Sequence, residues 1–173
     1  MNTERIITLE EIPVERLDEF WSIHLPYLVN DGIIDNEEDI EYFSGEEYRG
    51  ILRAHMLRER DKQRFAYFVD GGERIGAVSY CIYESEDGKC FMLDFWVFDE
   101  FRGNGTGRRC FEAFAAHTKA QGAVYYELNS TKENSVRFWK SLGFIENGAD
   151  EWGMPLYIKK RRDNTIQIIK TTD

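Results

Sequence analysis

The spacing of apolar and polar positions changes period twice along the chain. A short run at residues 4–9 has the character of a first strand, and Pro13 suits the first turn of a helix. Apolar residues then recur at Val14, Leu17, Phe20, Trp21, Leu25 and Leu28, one face of a helix. The stretch NDGIIDNEEDIEYFSGEE is acidic, broken by Gly32 and Gly45, and reads as a loop over 31–47. A second helix is expected through Tyr48, Ile51, Leu52, His55 and Met56. The period then shortens to two. RFAYFV (64–69), RIGAVSYCIY (74–83) and KCFMLDFWVF (89–98) are rich in β-branched and aromatic residues, and the turn signals DGGE and ESEDG separate them. They predict an antiparallel meander. The third run is apolar on both faces, as in a central strand covered on both sides.

Helical spacing returns at Cys110, Phe111, Phe114, Ala115 and Thr118, followed by a strand in GAVYYELNS (122–130). A strand, a helix and a strand over so short a distance imply a right-handed crossover to a parallel neighbour. ENSVRFWKSLGF gives a short helix stopped by Gly143. MPLYIKK reads as a last strand, and the tail at 161–173 as a possible extra edge strand. The class is α+β with a mixed sheet. The length of 173 residues suits a single domain over 1–173.

The formal net charge of −10 repels phosphate backbones, which sets aside a nucleic-acid partner. It would attract a cationic substrate, although acidity for solubility alone explains it equally well. Cys81, Cys90 and Cys110 are odd in number and form no CxxC pair, so they read as buried free thiols in a reducing compartment. The N-terminus has no signal-peptide character, and no apolar run reaches the length of a membrane span. A cytoplasmic protein with no membrane partner is expected.

The segment DEFRGNGTGRRCFEAF (99–114) places Gly103, Gly105 and Gly107 between a strand and a helix. Bare backbone at a helix N-terminus is a phosphate cradle: exposed amides and the helix dipole favour an anion. Arg102 stands at its mouth, with Arg108 and Arg109 in the first turn. The alternative is a tight turn flanked by surface arginines. A P-loop is excluded, because Gly107 is followed by Arg108, Arg109 and Cys110 rather than Lys-Ser/Thr. A dinucleotide fingerprint would need a glycine at Arg108 and βαβ units first, so a dinucleotide-dependent oxidoreductase is disfavoured.

VFDEFRGNGTG resembles the coenzyme A signature of the GNAT acetyltransferase superfamily, with its core matched by Arg102, Gly105 and Gly107. ENSVRFWKSLGF is similar to the family's last helix. The order of elements matches over about residues 5–160. The resemblance implies a mostly antiparallel sheet of about seven strands, flanked by about four helices and splayed at a central parallel pair. It implies an acetyl-CoA-dependent N-acetyltransferase acting directly on the primary amine of a small molecule or peptide, with no metal. Pantetheine would pair with the backbone of Phe95, Trp96 and Val97. The pyrophosphate would lie on the amides of Gly103, Asn104, Gly105, Thr106 and Gly107. Asn134 resembles the family's asparagine on the coenzyme arm, the alternative being an ordinary helix N-terminal residue.

A carboxylate would take the amine proton. Asp94, an acid in an apolar run, is the first candidate, against a buried aspartate satisfied by neighbouring backbone. Glu127 is the second, against a solvated strand end. Trp139, expected to pack against the coenzyme, stands where the family often carries a tyrosine that protonates the leaving thiolate, and indole is no acid at neutral pH. Either solvent or another group, with Tyr126 the candidate, would supply the proton instead. That departure keeps a non-catalytic acyl-CoA-binding module as the alternative. His24, His55 and His117 show no metal-ligand spacing and read as structural or surface residues. A homodimer is left open.

Overall fold

The computed structural model describes residues 5–160. In chain order these form β1 (Ile7–Glu11), α1 (Leu17–Asn30), α2 (Glu37–Ser44), α3 (Glu46–Met56), β2 (Gln63–Asp70), β3 (Glu73–Tyr83), β4 (Lys89–Val97), α4 (Thr106–Ala120), β5 (Tyr125–Asn129), α5 (Glu133–Ser141), β6 (Ile145–Ala149) and β7 (Pro155–Lys159). One sheet of seven strands runs in the order β1-β2-β3-β4-β5-β7-β6. Its β4–β5 pair is parallel and the others are antiparallel. The class and the mixed sheet are as the sequence predicts. The proposed edge strand at 161–173 lies outside the described residues.

The helices differ from expectation at one point. The acidic stretch contains α2, so among the described residues five α-helices flank the sheet rather than about four. Its formation rests on its N-terminus. The Asn36 side chain accepts the amide of Asp39 at 2.8 Å, and Glu37, Glu38 and Asp39 fill the first turn, where the dipole favours negative charge. No α2 residue is fully buried, so apolar periodicity gave no sign of it. The indole N–H of Trp21 donates to the Phe43 carbonyl at 2.6 Å and ties α2 to α1.

Helices α1 to α3 cover one face of the sheet, burying Leu17, Phe20, Trp21 and Leu52 against Phe65, Tyr67, Ala77 and Trp96. Helices α4 and α5 cover the other, burying Phe111, Phe114 and Trp139 against Phe68, Val78, Tyr80, Met92 and Leu128. Each buried Leu, Val, Met or Phe among them contributes about 1.5–3 kcal/mol by leaving water. On this second face Glu11 of β1 joins three elements. Its carboxylate accepts from Tyr80 Oη at 2.5 Å and Gln121 Nε2 at 2.9 Å, and His117 Nε2 lies 3.3 Å away. Cys81, Cys90 and Cys110 are buried and free. Burial pushes the Cys110 thiol up to about 12, so it is inert at neutral pH.

One irregularity positions the site. Tyr80 faces Met92 across the β3–β4 ladder, but Ser79 faces Asp94, so Leu93 is an extra residue in β4. A bulge of this kind reverses the alternation of faces. Cys90 and Met92 therefore point into the α4–α5 core, whereas Trp96 points into the α1–α3 core. Asp94 shares the Trp96 side of the strand.

Candidate active site

Strand β4 pairs with β5 only from Lys89 to Met92, opposite Tyr125 to Leu128. Beyond that point β4 continues along β3 to Val97. Its other edge then presents backbone groups with no strand beside them, which is an invitation to an extended ligand. The gap opens into a cleft of about 750 Å³. Phe95, Trp96 and Val97 line it from β4, Arg102, Gly103, Gly105, Thr106 and Gly107 from the glycine segment, and Asn134, Ser135 and Phe138 from α5.

The glycine segment ends in a left-handed run. Gly103, Asn104 and Gly105 have φ of 90°, 52° and 76°. Gly105 is the N-cap of α4 and supplies no side chain to cap it; the Thr106 amide donates to the Gly103 carbonyl at 3.1 Å, and the amides that follow it in the first turn have no capping side chain. The Thr106 hydroxyl turns back to the Gly103 carbonyl at 2.8 Å. At Gly107 the requirement is space, since a Cβ there would stand 3.0 Å from the Phe138 ring. Helix α5 also begins at the cleft, with Lys132 as an N-cap whose side chain does not cap the helix. Two uncapped helix N-termini thus converge on one cavity.

The cations are arranged differently from the simple expectation. Arg102 donates to the Val97 carbonyl at 2.8 Å and pairs with Asp99 at 2.9 Å and Asp31 at 3.5 Å. Arg108 lines the cleft and donates to the Ser141 carbonyl at 3.2 Å. Arg109 turns away, toward Asp70 at 3.6 Å and the Arg5 carbonyl. Lys132 lines the cleft, and its ammonium donates to the Asp31 carbonyl oxygen. Asp31, at the end of α1, therefore touches cations from both walls. Lys132, Asp31 and Phe138 escape sequence reasoning, because their contacts join segments far apart in the chain.

The structure brings most of the expected coenzyme residues together on this cleft. Asn104 stands in the left-handed turn but does not line the cavity. Trp139 is 6% exposed and lies beneath the floor. Its ring packs against Phe95, Phe138 and Phe144 at centroid distances of 5.0, 4.9 and 5.2 Å. Tyr126 sits on the α4 side of β5, its hydroxyl bonded to the Ala115 carbonyl at 3.1 Å and to Thr118 Oγ1 at 2.8 Å. Glu127 is 8% exposed rather than solvated. It accepts from Asn147 at 3.1 Å, with Lys89 at 3.9 Å.

Asp94 lies on the opposite face of β4 from the α4–α5 core, with a quarter of its side chain exposed. His24 of α1, read from the sequence as structural or surface, is buried and places Nε2 3.2 Å from Asp94 Oδ2. Tyr48 of α3 is nearby. Burial, with the charge of Asp94 adding, pushes its phenol up to about 12, so it stays protonated. Among the described residues no group of three or more His, Cys, Asp or Glu could hold a metal ion. No described helix is long and apolar enough to cross a membrane.

The architecture has many solved counterparts. The PaiA N-acetyltransferase from Thermoplasma acidophilum, solved in complex with coenzyme A, superposes with a TM-score of 0.65 at 19% identity, covering 90% of this chain and 99% of that one. An acetyltransferase from Thermus thermophilus gives 0.63 at 17% identity, covering 91% and 99%. N-acetylglutamate synthase from Neisseria gonorrhoeae, complexed with coenzyme A and N-acetyl-glutamate, gives 0.62 at 13% identity, covering 92% of this chain and 36% of that one. At such identities the likeness is one of fold. No curated protein matches the sequence. The family model described as Acetyltransferase (GNAT) family, however, matches residues 18–144, most of the chain and all of the cleft from Asp31 to Ser141, and the protein belongs to that family.

Proposed function

We propose that the protein is an acetyl-CoA-dependent N-acetyltransferase that moves acetyl directly to the primary amine of a small molecule or peptide. The cleft carries this reading. An unpaired strand edge leads from two uncapped helix N-termini to the point where β4 and β5 part. That is the shape and polarity of a long ligand with phosphates at one end. The amides of residues 103–107 and the cations Arg102, Arg108 and Lys132 would hold the pyrophosphate and its neighbours, with Asn134 on the arm. The backbone of Phe95, Trp96 and Val97 would pair with pantetheine. Bound there, acetyl-CoA supplies an acyl group activated as a thioester.

The protein's own groups then have defined tasks. A backbone N–H of β4 stabilises the oxyanion that develops on the acetyl carbonyl. The amine arrives from the α1–α3 face, where the Leu93 bulge has turned Asp94. Its ammonium gives one proton to the Asp94 carboxylate, and the freed lone pair attacks the carbonyl carbon as the C–S bond breaks. The amine's second proton goes to the departing thiolate. Neither Trp139 nor Tyr126 lines the cleft, so solvent delivers it. The negative charge of −10 and the acids of α2 favour a cationic amine. For such a substrate kcat/KM falls as salt shortens the Debye length from about 30 Å at 0.01 M to about 10 Å at 0.1 M.

A non-catalytic acyl-CoA-binding module is the second reading, favoured by the aromatic burial of Trp139. Thiol release from acetyl-CoA separates the two. The assay offers a linear diamine, a free amino acid, an aminoglycoside and a short peptide with a free N-terminus. Release with at least one supports the transferase. Saturable acetyl-CoA binding without release from any favours the module.

A further inference from the structure

We propose that His24 is a positioning residue for Asp94, fixing the carboxylate that accepts the amine proton; this rests on the transferase reading above. Nothing in the chain's spacing marks His24, and its place in the fold does. The side chain is 1% exposed and caged by Phe20, Trp21 and Trp96, at centroid distances of 5.3, 5.7 and 5.5 Å. Within this cage Nδ1 has no hydrogen-bond partner. An orphaned buried nitrogen costs stability, and Phe or Leu would fill the cage without that cost. The polar contact that remains is Nε2 to Asp94 Oδ2, at 3.2 Å.

That contact has the geometry of an orienting bond. His24 stands on a helix and Asp94 on a strand, so both ends are held by regular backbone. The imidazole engages one carboxylate oxygen from the buried side and leaves Oδ1 for the side from which the amine comes. Tyr48 of α3, whose phenol feels the charge of Asp94, stays protonated and adds a hydroxyl rather than a charge. On β3, Ser79 sits opposite Asp94 and accepts from Gln63 at 3.1 Å. Gln63 is in turn 3.1 Å from His55 Nδ1, and His24 is the partner that sets the rotamer of the carboxylate. Without the imidazole N–H, the Asp94 carboxylate loses its aim, and misaligned groups lose rate at the reacting step more than they lose binding.

The experiment is a double-mutant cycle, with acetyl-CoA and the fastest acceptor of the four amines named above. His24→Phe preserves the packing and removes the donor. It lowers kcat about 10- to 100-fold, the range for one charge-assisted hydrogen bond, with acetyl-CoA affinity unchanged. His24→Gln restores an N–H and recovers most of the loss. In an Asp94→Asn background, His24→Phe has no further effect, because residues acting as a unit are not additive. Wild-type kcat in His24→Phe overturns the inference while leaving the transferase reading intact. So does an undiminished effect in the Asp94→Asn background, which marks a packing role. Should His24→Phe fail to fold, His24→Met fills the cage in its place. No transfer by the unsubstituted protein to any of the four amines overturns the transferase reading, and this inference with it.

Discussion

Replacing Gly105 with alanine separates the conformation of the glycine loop from its bulk. Gly105 holds φ 76° and ψ 12° at the N-cap of α4, and an added Cβ meets no atom within 4 Å. The fold therefore loses nothing by collision. It loses the cost of keeping an L-residue left-handed, about 1–2 kcal/mol. At about 2–4 °C per kcal/mol for a domain of this size, Tm falls by about 2–8 °C. Gly105 lines the cleft, so the methyl enters the cavity, or the loop relaxes and its amides turn aside. Either raises the acetyl-CoA Kd by about tenfold, which is 1.4 kcal/mol. Gly107→Ala is the contrast. Its Cβ would stand 3.0 and 3.1 Å from two atoms of the Phe138 ring, so the ring retreats by about 0.5 Å to reach ordinary carbon contact. Alanine's better helix propensity, about 0.5–1 kcal/mol, offsets that strain, and Tm stays within about 3 °C. Differential scanning fluorimetry and calorimetric titration read both quantities. A Gly105→Ala protein with lowered Tm but unchanged Kd refutes the loop as the phosphate cradle. One with neither changed refutes the need for a left-handed residue.

Trp139→Phe, which leaves a gap among Phe95, Phe111, Phe138 and Phe144, costs about 1–3 kcal/mol of stability but keeps kcat within about tenfold, as steady-state kinetics would show. Asp31→Asn removes the carboxylate paired with Arg102 and tightens acetyl-CoA binding up to about fivefold, the worth of an exposed ion pair, measured by titration at low salt. Burial alone would raise the Glu11 pKa, yet the hydrogen bonds from Tyr80, Gln121 and His117, with Arg64 adding, hold it below the ordinary value. A depressed carboxylate stabilises the fold above its unfolded pKa and loses that contribution as pH falls through the folded one. Glu11→Gln therefore lowers Tm at pH 7, and the gap from wild type narrows toward acid. A constant gap from pH 7 to 3 contradicts the ionic role.

The meander was legible because turn signals and β-branched runs agree with one another from residue 64 to 97. The glycine loop was legible because three glycines between strand and helix have few other uses. The bulge at Leu93 was not, because an extra residue in an apolar run leaves the pattern apolar on both faces. It decides which face Asp94 takes, and hence its contact with His24, 70 positions earlier in the chain. Helix α2 was missed because a side-chain cap and first-turn acids hold it, not an apolar stripe. Trp139 and Tyr126 sit on elements correctly placed, but their orientation into the α4–α5 core depends on packing that one sequence does not display.

The most direct test of acetyl transfer is to count both products in one reaction. Wild-type protein is incubated with acetyl-CoA and the four amines, free thiol is followed by colour, and acetylated amine by mass spectrometry. One acetylated amine is expected for each thiol released, with Asp94→Asn lowering both together by about 10²–10⁴-fold while still binding acetyl-CoA. Thiol release without acetylated amine, or Asp94→Asn turning over at the wild-type rate, would contradict that expectation.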